Sequence, residues 1–136
     1  VADAETTPLW AGEEDQIVRR MVDRYLANLE MVAAIADRFK VKTLFVWQPV
    51  PNFRAPPDTS RFPKDKVPVR RSPAVYEQLD RMRATGKLPG NFLWLADLQL
   101  GRTGDLYIDT YHYTPQFSEV LAVETARHLA ASGGLR

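Results

Sequence analysis

The chain is expected to be an α/β protein, with helices packed on a parallel sheet. Three observations point there. An apolar stripe of helical period runs through residues 13–40. Two short, nearly continuous apolar runs, at 42–50 and 91–99, suit strands buried on both faces, as in parallel sheets. Helical and strand patterns alternate along the chain, and that alternation is the mark of strand–helix units.

Residues 1–12 (VADAETTPLWAG) are polar, with a Pro and a Gly, and predict an irregular lead-in pinned by Trp10. In residues 13–40, Val18, Met21, Val22, Tyr25, Leu29, Val32, Ala36 and Phe39 recur at spacings of three and four. They predict one apolar face on a long helix. Glu13, Glu14 and Asp15 at its start and Arg38 and Lys40 at its end complement the helix dipole. In 42–50 (VKTLFVWQPV without its first residue) the run Leu44 to Trp47 predicts a strand, ended by Gln48 and Pro49 because proline cannot donate to a ladder.

Residues 51–71 hold five of the ten prolines and predict a long loop. Arg61, Lys64, Lys66, Arg70 and Arg71 make it basic, which reads as a solvated loop, with recognition of an anionic substrate or polymer as the alternative. Ser72 is placed to cap a helix over 72–85, with Pro73 at its first position. Val75, Leu79 and Met82 form its inner face, and Gly86 stops it. Residues 91–99 predict the second strand, and Asp97 near its end could cap a turn. Gly101 and Gly104 mark a turn. Thr114 and Pro115 open a last helix reaching about Ala131.

Two strands are few for a sheet, which usually has about four to six. Both read as interior. A missing N-terminal segment or a second chain is therefore expected to complete the sheet. The chain opens on Val1 rather than Met, which leaves a removed segment open.

Composition narrows the function classes. The 136 residues are 45% hydrophobic and 26% charged, ordinary for one globular domain, and the net charge of +1 provides no global field for nucleic acid. There is no cysteine, hence neither a disulfide nor thiolate chemistry, and no apolar run is long enough to span a bilayer. The two histidines, His112 and His128, lie sixteen residues apart and make a poor metal set, so neither metal nor cofactor is expected. His128, near a helix C-terminus, reads as a surface residue.

The chemistry concentrates in residues 107–115 (YIDTYHYTP). Asp109 precedes His112 by three residues, on a loop that follows a buried strand and leads into a helix. A carboxylate bonded to one ring nitrogen fixes the tautomer of an imidazole and steadies its charged form, which is what a general base needs. Ligand sites of open α/β sheets gather in this region, beyond the carboxyl ends of strands. Gln48, Asn52 and Phe53 follow the first strand on that side and could line an acyl or alcohol pocket. Tyr111 and Tyr113 flank His112 and could shape it. Trp47 and Trp94 read as core.

The stretch Tyr107-Ile-Asp-Thr-Tyr-His-Tyr-Thr-Pro-Gln-Phe-Ser118, followed by an alanine-rich helix, resembles the last block of the SGNH (GDSL-type) hydrolases. The upstream order of long helix, strand ending at Phe45-Val-Trp-Gln-Pro49, insertion, helix and short strand is similar too. The resemblance covers residues 13–136 and implies the C-terminal part of a single three-layer α/β/α domain, flavodoxin-like and incomplete in this chain. It implies a serine esterase acting on a small-molecule or carbohydrate ester, with Asp109 orienting the base and His112 as the base. It is compatible with a secreted or periplasmic location.

The nucleophile block of that family, a Gly-Asp-Ser-type motif, has no counterpart, and Ser60, Ser72, Ser118 and Ser132 lack its context. Neither Asn28 nor Asn52 is assigned to an oxyanion hole. The serine is thus expected outside this chain, which alone should be inactive. The alternatives are a non-catalytic relative that binds a ligand or partner, and an unrelated flavodoxin-like domain in which the Asp109 carboxylate points away from the His112 ring.

Overall fold

The computed structural model describes residues 9–57, 59 and 71–133, with the backbone alone for 9–11. The expected lead-in contact of Trp10, the serine at position 60 and the basic residues Arg61, Lys64, Lys66 and Arg70 lie outside the described residues. Helices surround a small two-stranded parallel sheet, in the order α1 (Leu9–Arg38), β1 (Phe45–Trp47), α2 (Ser72–Ala84), β2 (Phe92–Trp94), a 3-10 turn (Ala96–Gln99) and α3 (Pro115–Ala131).

Helix α1 starts four residues before the predicted position. Glu13, Glu14 and Asp15 therefore fall beyond its first turn. Its inner face is narrower than the predicted stripe. Val18, Val22, Leu29 and Ala36 are buried, whereas Met21, Val32 and Phe39 are exposed. The reason is coverage: α2 and one face of the sheet reach only part of the apolar arc. Val18 and Val22 meet Val75 and Leu79 of α2, with Trp47 and Trp94 packed against them from the sheet. Full burial of a side chain such as Leu79 contributes about 1.5–3 kcal/mol.

The strands pair in register, Phe45 with Phe92, Val46 with Leu93 and Trp47 with Trp94. Each has three residues, shorter than the predicted run Leu44 to Trp47 within 42–50 and the predicted strand 91–99, and each is half-buried rather than covered on both faces. Beyond Trp94 the apolar run continues, but the backbone turns into the 3-10 segment. Asp97 holds that turn by accepting a hydrogen bond from Trp94 Nε1 at 2.8 Å, so it lies inside a turn rather than at a strand end. Apolar continuity alone does not separate these two outcomes.

Ser72 is the first residue of α2, not its cap, and Pro73 is the second. Arg71 takes the cap position and makes no side-chain cap hydrogen bond. The Ser72 hydroxyl instead donates to Asn52 Oδ1 at 3.3 Å, tying α2 to the loop after β1. Gly86, with φ of 67°, ends α2 as expected. The N–H of Gly86 reaches Arg83 O and that of Lys87 reaches Met82 O, the paired bonds of a left-handed helix stop.

Helix α1 ends in the same way, but on a lysine. Lys40 has φ of 56°, its N–H meets Asp37 O at 3.1 Å, and Val41 N–H meets Ala36 O at 2.8 Å. A side chain in this conformation costs about 1 kcal/mol. The Lys40–Asp37 ion pair, at 3.3 Å and well exposed, returns little of that. Lys40→Gly should therefore stabilise the fold by about 0.5–1 kcal/mol and raise Tm by about 2–4 °C in thermal unfolding.

Candidate active site

The loop between the 3-10 turn and α3 is closed by its own backbone. Ile108 N–H donates to His112 O at 2.8 Å, and Thr114 N–H donates to Leu106 O at 2.9 Å. Tyr107 and Tyr113 face each other in an antiparallel bridge. Residues 109–112 are the tip. There Asp109 Oδ1 accepts from the N–H of Tyr111 at 2.7 Å and of His112 at 2.8 Å. An aspartate so placed closes the turn with its side chain. Its second oxygen is left to face the ring: Asp109 Oδ2 lies 2.6 Å from His112 Nδ1.

The spacing of three is thus what the turn needs. One carboxylate oxygen folds the backbone and the other receives the imidazole that this folding delivers. The reading in which Asp109 points away from the ring does not describe this geometry. The Tyr111 N–H first, then the imidazole and the His112 N–H, hold the Asp109 carboxyl down from 3.8 to about 2. The His112 side chain is 75% exposed and that of Asp109 41%. With Nδ1 held, the Nε2 edge of the ring faces outward.

Beneath the tip the packing is aromatic. Tyr107, Tyr113 and Phe117 meet with centroids 5.4 to 5.9 Å apart, joining the loop to the first turn of α3. As predicted, Thr114 caps that helix, accepting the Phe117 N–H, with Pro115 at the first position. Burial pushes the Tyr113 hydroxyl up to about 12 and raises those of Tyr107 and Tyr76 further still, so all three remain neutral donors.

Those donors link the loop to the end of β1. Tyr113 Oη donates to Pro49 O at 2.6 Å and lies 3.4 Å from Gln48 Oε1, while Tyr76 Oη donates to Gln48 O at 2.7 Å. Tyr107 Oη donates to Gln99 Oε1 at 2.5 Å. The Gln99 amide in turn donates to Val50 O at 3.1 Å and Phe53 O at 2.5 Å. Gln99 is fully buried.

Of the residues expected to line a pocket, Gln48 is exposed and meets the tip through Tyr113. Asn52 is half-buried and bonded to Ser72. Phe53 is buried among Tyr76 and Ala96, a core residue rather than an exposed wall. The next residue, Arg54, has φ of 52° and is held by Asp80 at 2.9 Å. Arg83 binds the same carboxylate at 2.7 Å. Burial works against ionisation of Asp80, but the bonds from Arg83 and Arg54 outweigh it and lower its pKa.

No serine hydroxyl meets His112 among the described residues. Ser72 bonds to Asn52, Ser132 to Leu129 O, and Ser118 stands on α3 beside a groove of about 540 Å³ that also borders Val46, Gln48 and Tyr113. Among the described residues no group of three or more His, Asp or Glu is placed to hold a metal ion, and no described helix is long and apolar enough to cross a membrane. No family model, curated protein or solved structure matches the chain.

Sequence reasoning missed Gln99, which it placed in a strand, and Tyr107 as its partner. A glutamine ending an apolar run was the one available signal. Two predictions follow from this geometry. Gln99→Met keeps the side-chain length but strands the Tyr107 hydroxyl and Phe53 O, and takes from Val50 O one of its two donors, the other being Phe53 N–H. It should cost about 3 kcal/mol and lower Tm by about 10 °C. The second concerns pH. Because the folded value of Asp109 lies below its unfolded one, its stabilisation of the loop is complete above about pH 4 and is lost as pH falls through about 2. Amide exchange at Tyr111 and His112 should accelerate in that window, and Asp109→Asn should abolish the pH step.

Proposed function

We propose that this chain is the C-terminal part of a serine ester hydrolase of the SGNH type, whose serine lies outside its 136 residues. The observation that carries this reading is the Asp109 Oδ2 to His112 Nδ1 bond of 2.6 Å, with the opposite edge of an exposed imidazole turned outward. The two half-buried parallel strands then belong to a larger sheet, in a three-layer domain with α1 and α2 on one face. The apolar α3 residues beside Val46 support a helix on the other.

In this mechanism His112 Nε2 takes the proton of the serine hydroxyl as its oxygen attacks the ester carbonyl carbon. Asp109, ionised throughout the neutral range, accepts the Nδ1–H bond and steadies the imidazolium. The carbon–oxygen bond to the alcohol breaks, and His112 returns the proton to the departing alkoxide. Water, deprotonated by His112, then attacks the acyl-enzyme, and the acid leaves with the serine restored. No cofactor enters. Gln48 and Tyr113, beside the dyad, border the space open to a small-molecule or carbohydrate ester, and exposed Tyr111 offers a face on which a sugar ring can lie.

The test uses the polypeptide carrying the upstream serine, with a fluorophosphonate probe and a short p-nitrophenyl ester. Asp109→Asn should lower kcat about 10³–10⁴-fold, with KM changed little. His112→Ala should abolish both turnover and labelling. Unchanged turnover in His112→Ala would defeat the proposal, and a reading frame with no upstream serine block would point to a ligand-binding relative.

A further inference from the structure

One flank of α1 is apolar and uncovered. In helical projection Met31, Val32, Ile35 and Phe39 fall within an arc of about 100°, beside the buried arc of α1 rather than opposite it. They are 58, 45, 61 and 72% exposed, and Val41, in the turn to β1, is 59% exposed. Ala33 and Asp37, on the other side of the buried arc, border a cleft with Gly90 and Asn91 at the start of β2, so the exposed arc lies on the side of α1 away from β2. A separate groove runs between Val46 and α3. The exposed apolar surface of the five residues is on the order of 500 Å², the size at which a patch marks a contact site.

On that side the sheet has an open strand edge. β1 is joined to β2 through alternate residues: Phe45 N–H donates to Asn91 O, and Leu95 N–H donates to Trp47 O. In a parallel pair the residue between them directs its backbone groups the other way. Val46 therefore presents N–H and C=O to an edge that no described strand occupies.

We propose that this flank is covered by the β-strand that precedes α1 in the same polypeptide, pairing in parallel with the open edge of β1. The chain order selects this occupant. α1 packs against Trp47 of the sheet and feeds β1 through residues 39–44. A helix so placed is the middle of a strand–helix–strand crossover, whose first strand lies parallel to its last. β2 takes one edge of β1, which leaves the Val46 edge for the incoming strand. Residues 1–8 (VADAETTP) hold no apolar side chain larger than alanine between Val1 and Pro8, too little to cover both faces, so the strand is placed upstream of Val1. With α1 on one side and the α3 groove on the other, it is apolar on both faces. This inference rests on surface and topology, and it holds whether or not His112 is catalytic.

The absence of cysteine in these residues makes single-cysteine labelling direct. Ile35→Cys and Phe39→Cys, with exposed Glu77→Cys as reference, are introduced into the product of the complete reading frame, any upstream cysteine being replaced. Positions 35 and 39 should react with a maleimide about 100-fold more slowly than position 77. That protection should not change over a ~100-fold range of protein concentration. Equal rates at the three positions overturn the proposal. So does protection that grows with concentration, since a second copy would then be the cover, and so does a reading frame that begins near Val1. In the unsubstituted protein the Val46 amide should exchange slowly, and fast exchange there is equally fatal. The His112→Ala variant separates the two proposals, because it should lose turnover while keeping the flank protected.

Discussion

A single buried carboxamide holds the site to the sheet. Gln99 spends both amide hydrogens on Val50 O and Phe53 O and its oxygen on the Tyr107 hydroxyl. Three segments meet there: the loop leaving β1, some fifty residues away, the 3-10 turn after β2, and the strand-like start of the loop that carries Asp109 and His112, eight residues on. A buried amide with these partners satisfied is favourable, and any vacancy among them is costly, so the network admits one arrangement. Tyr107 passes that constraint on, through its bridge to Tyr113 and its ring contact with Phe117, to both ends of the loop tip.

The tip itself needs no distant help. Asp109 closes its own turn, and the same turn brings His112 onto its second oxygen. Such a unit is local in sequence and depends on backbone N–H donors more than on burial, which suits its exposed position. The difference in scale matters. Orientation of the imidazole is settled within four residues. Its location relative to β1 is settled by Tyr113 on Pro49 and by Gln99, across some fifty to sixty-five residues.

The legibility of the sequence follows the same division. The Thr114–Pro115 start of α3, the Gly86 stop of α2 and the Asp109–His112 spacing are signals that neighbouring residues carry and neighbouring residues use. Strand lengths were not legible. The run from Phe92 to Ala96 stays apolar while its backbone leaves the sheet after Trp94, and the Asp97 carboxylate that holds the turn through Trp94 Nε1 is a side-chain choice that hydropathy does not register. Ser72 misled because serine before proline has the chemistry of a cap, but Asn52, twenty residues away, engages its hydroxyl instead. The stripe on α1 is apolar as expected, but only Val18, Val22, Leu29 and Ala36 of it are buried, since periodicity reports which surface avoids water and not whether a neighbour covers it.

The proposed strand would account for both that last mismatch and the half-burial of the strands. Met31, Val32, Ile35 and Phe39 are exposed on the side of α1 away from β2, the side to which Val46 offers its backbone groups. Helix and strand would thus gain cover from one added element. A strand added on that side would run parallel to β1 and finish level with Gln48 and Pro49. Tyr113 already ties the His112 loop to those two residues. A side chain at the carboxyl end of such a strand would therefore share its reference point with the imidazole, because β1 aligns both: one through the sheet ladder, the other through a tyrosine hydroxyl.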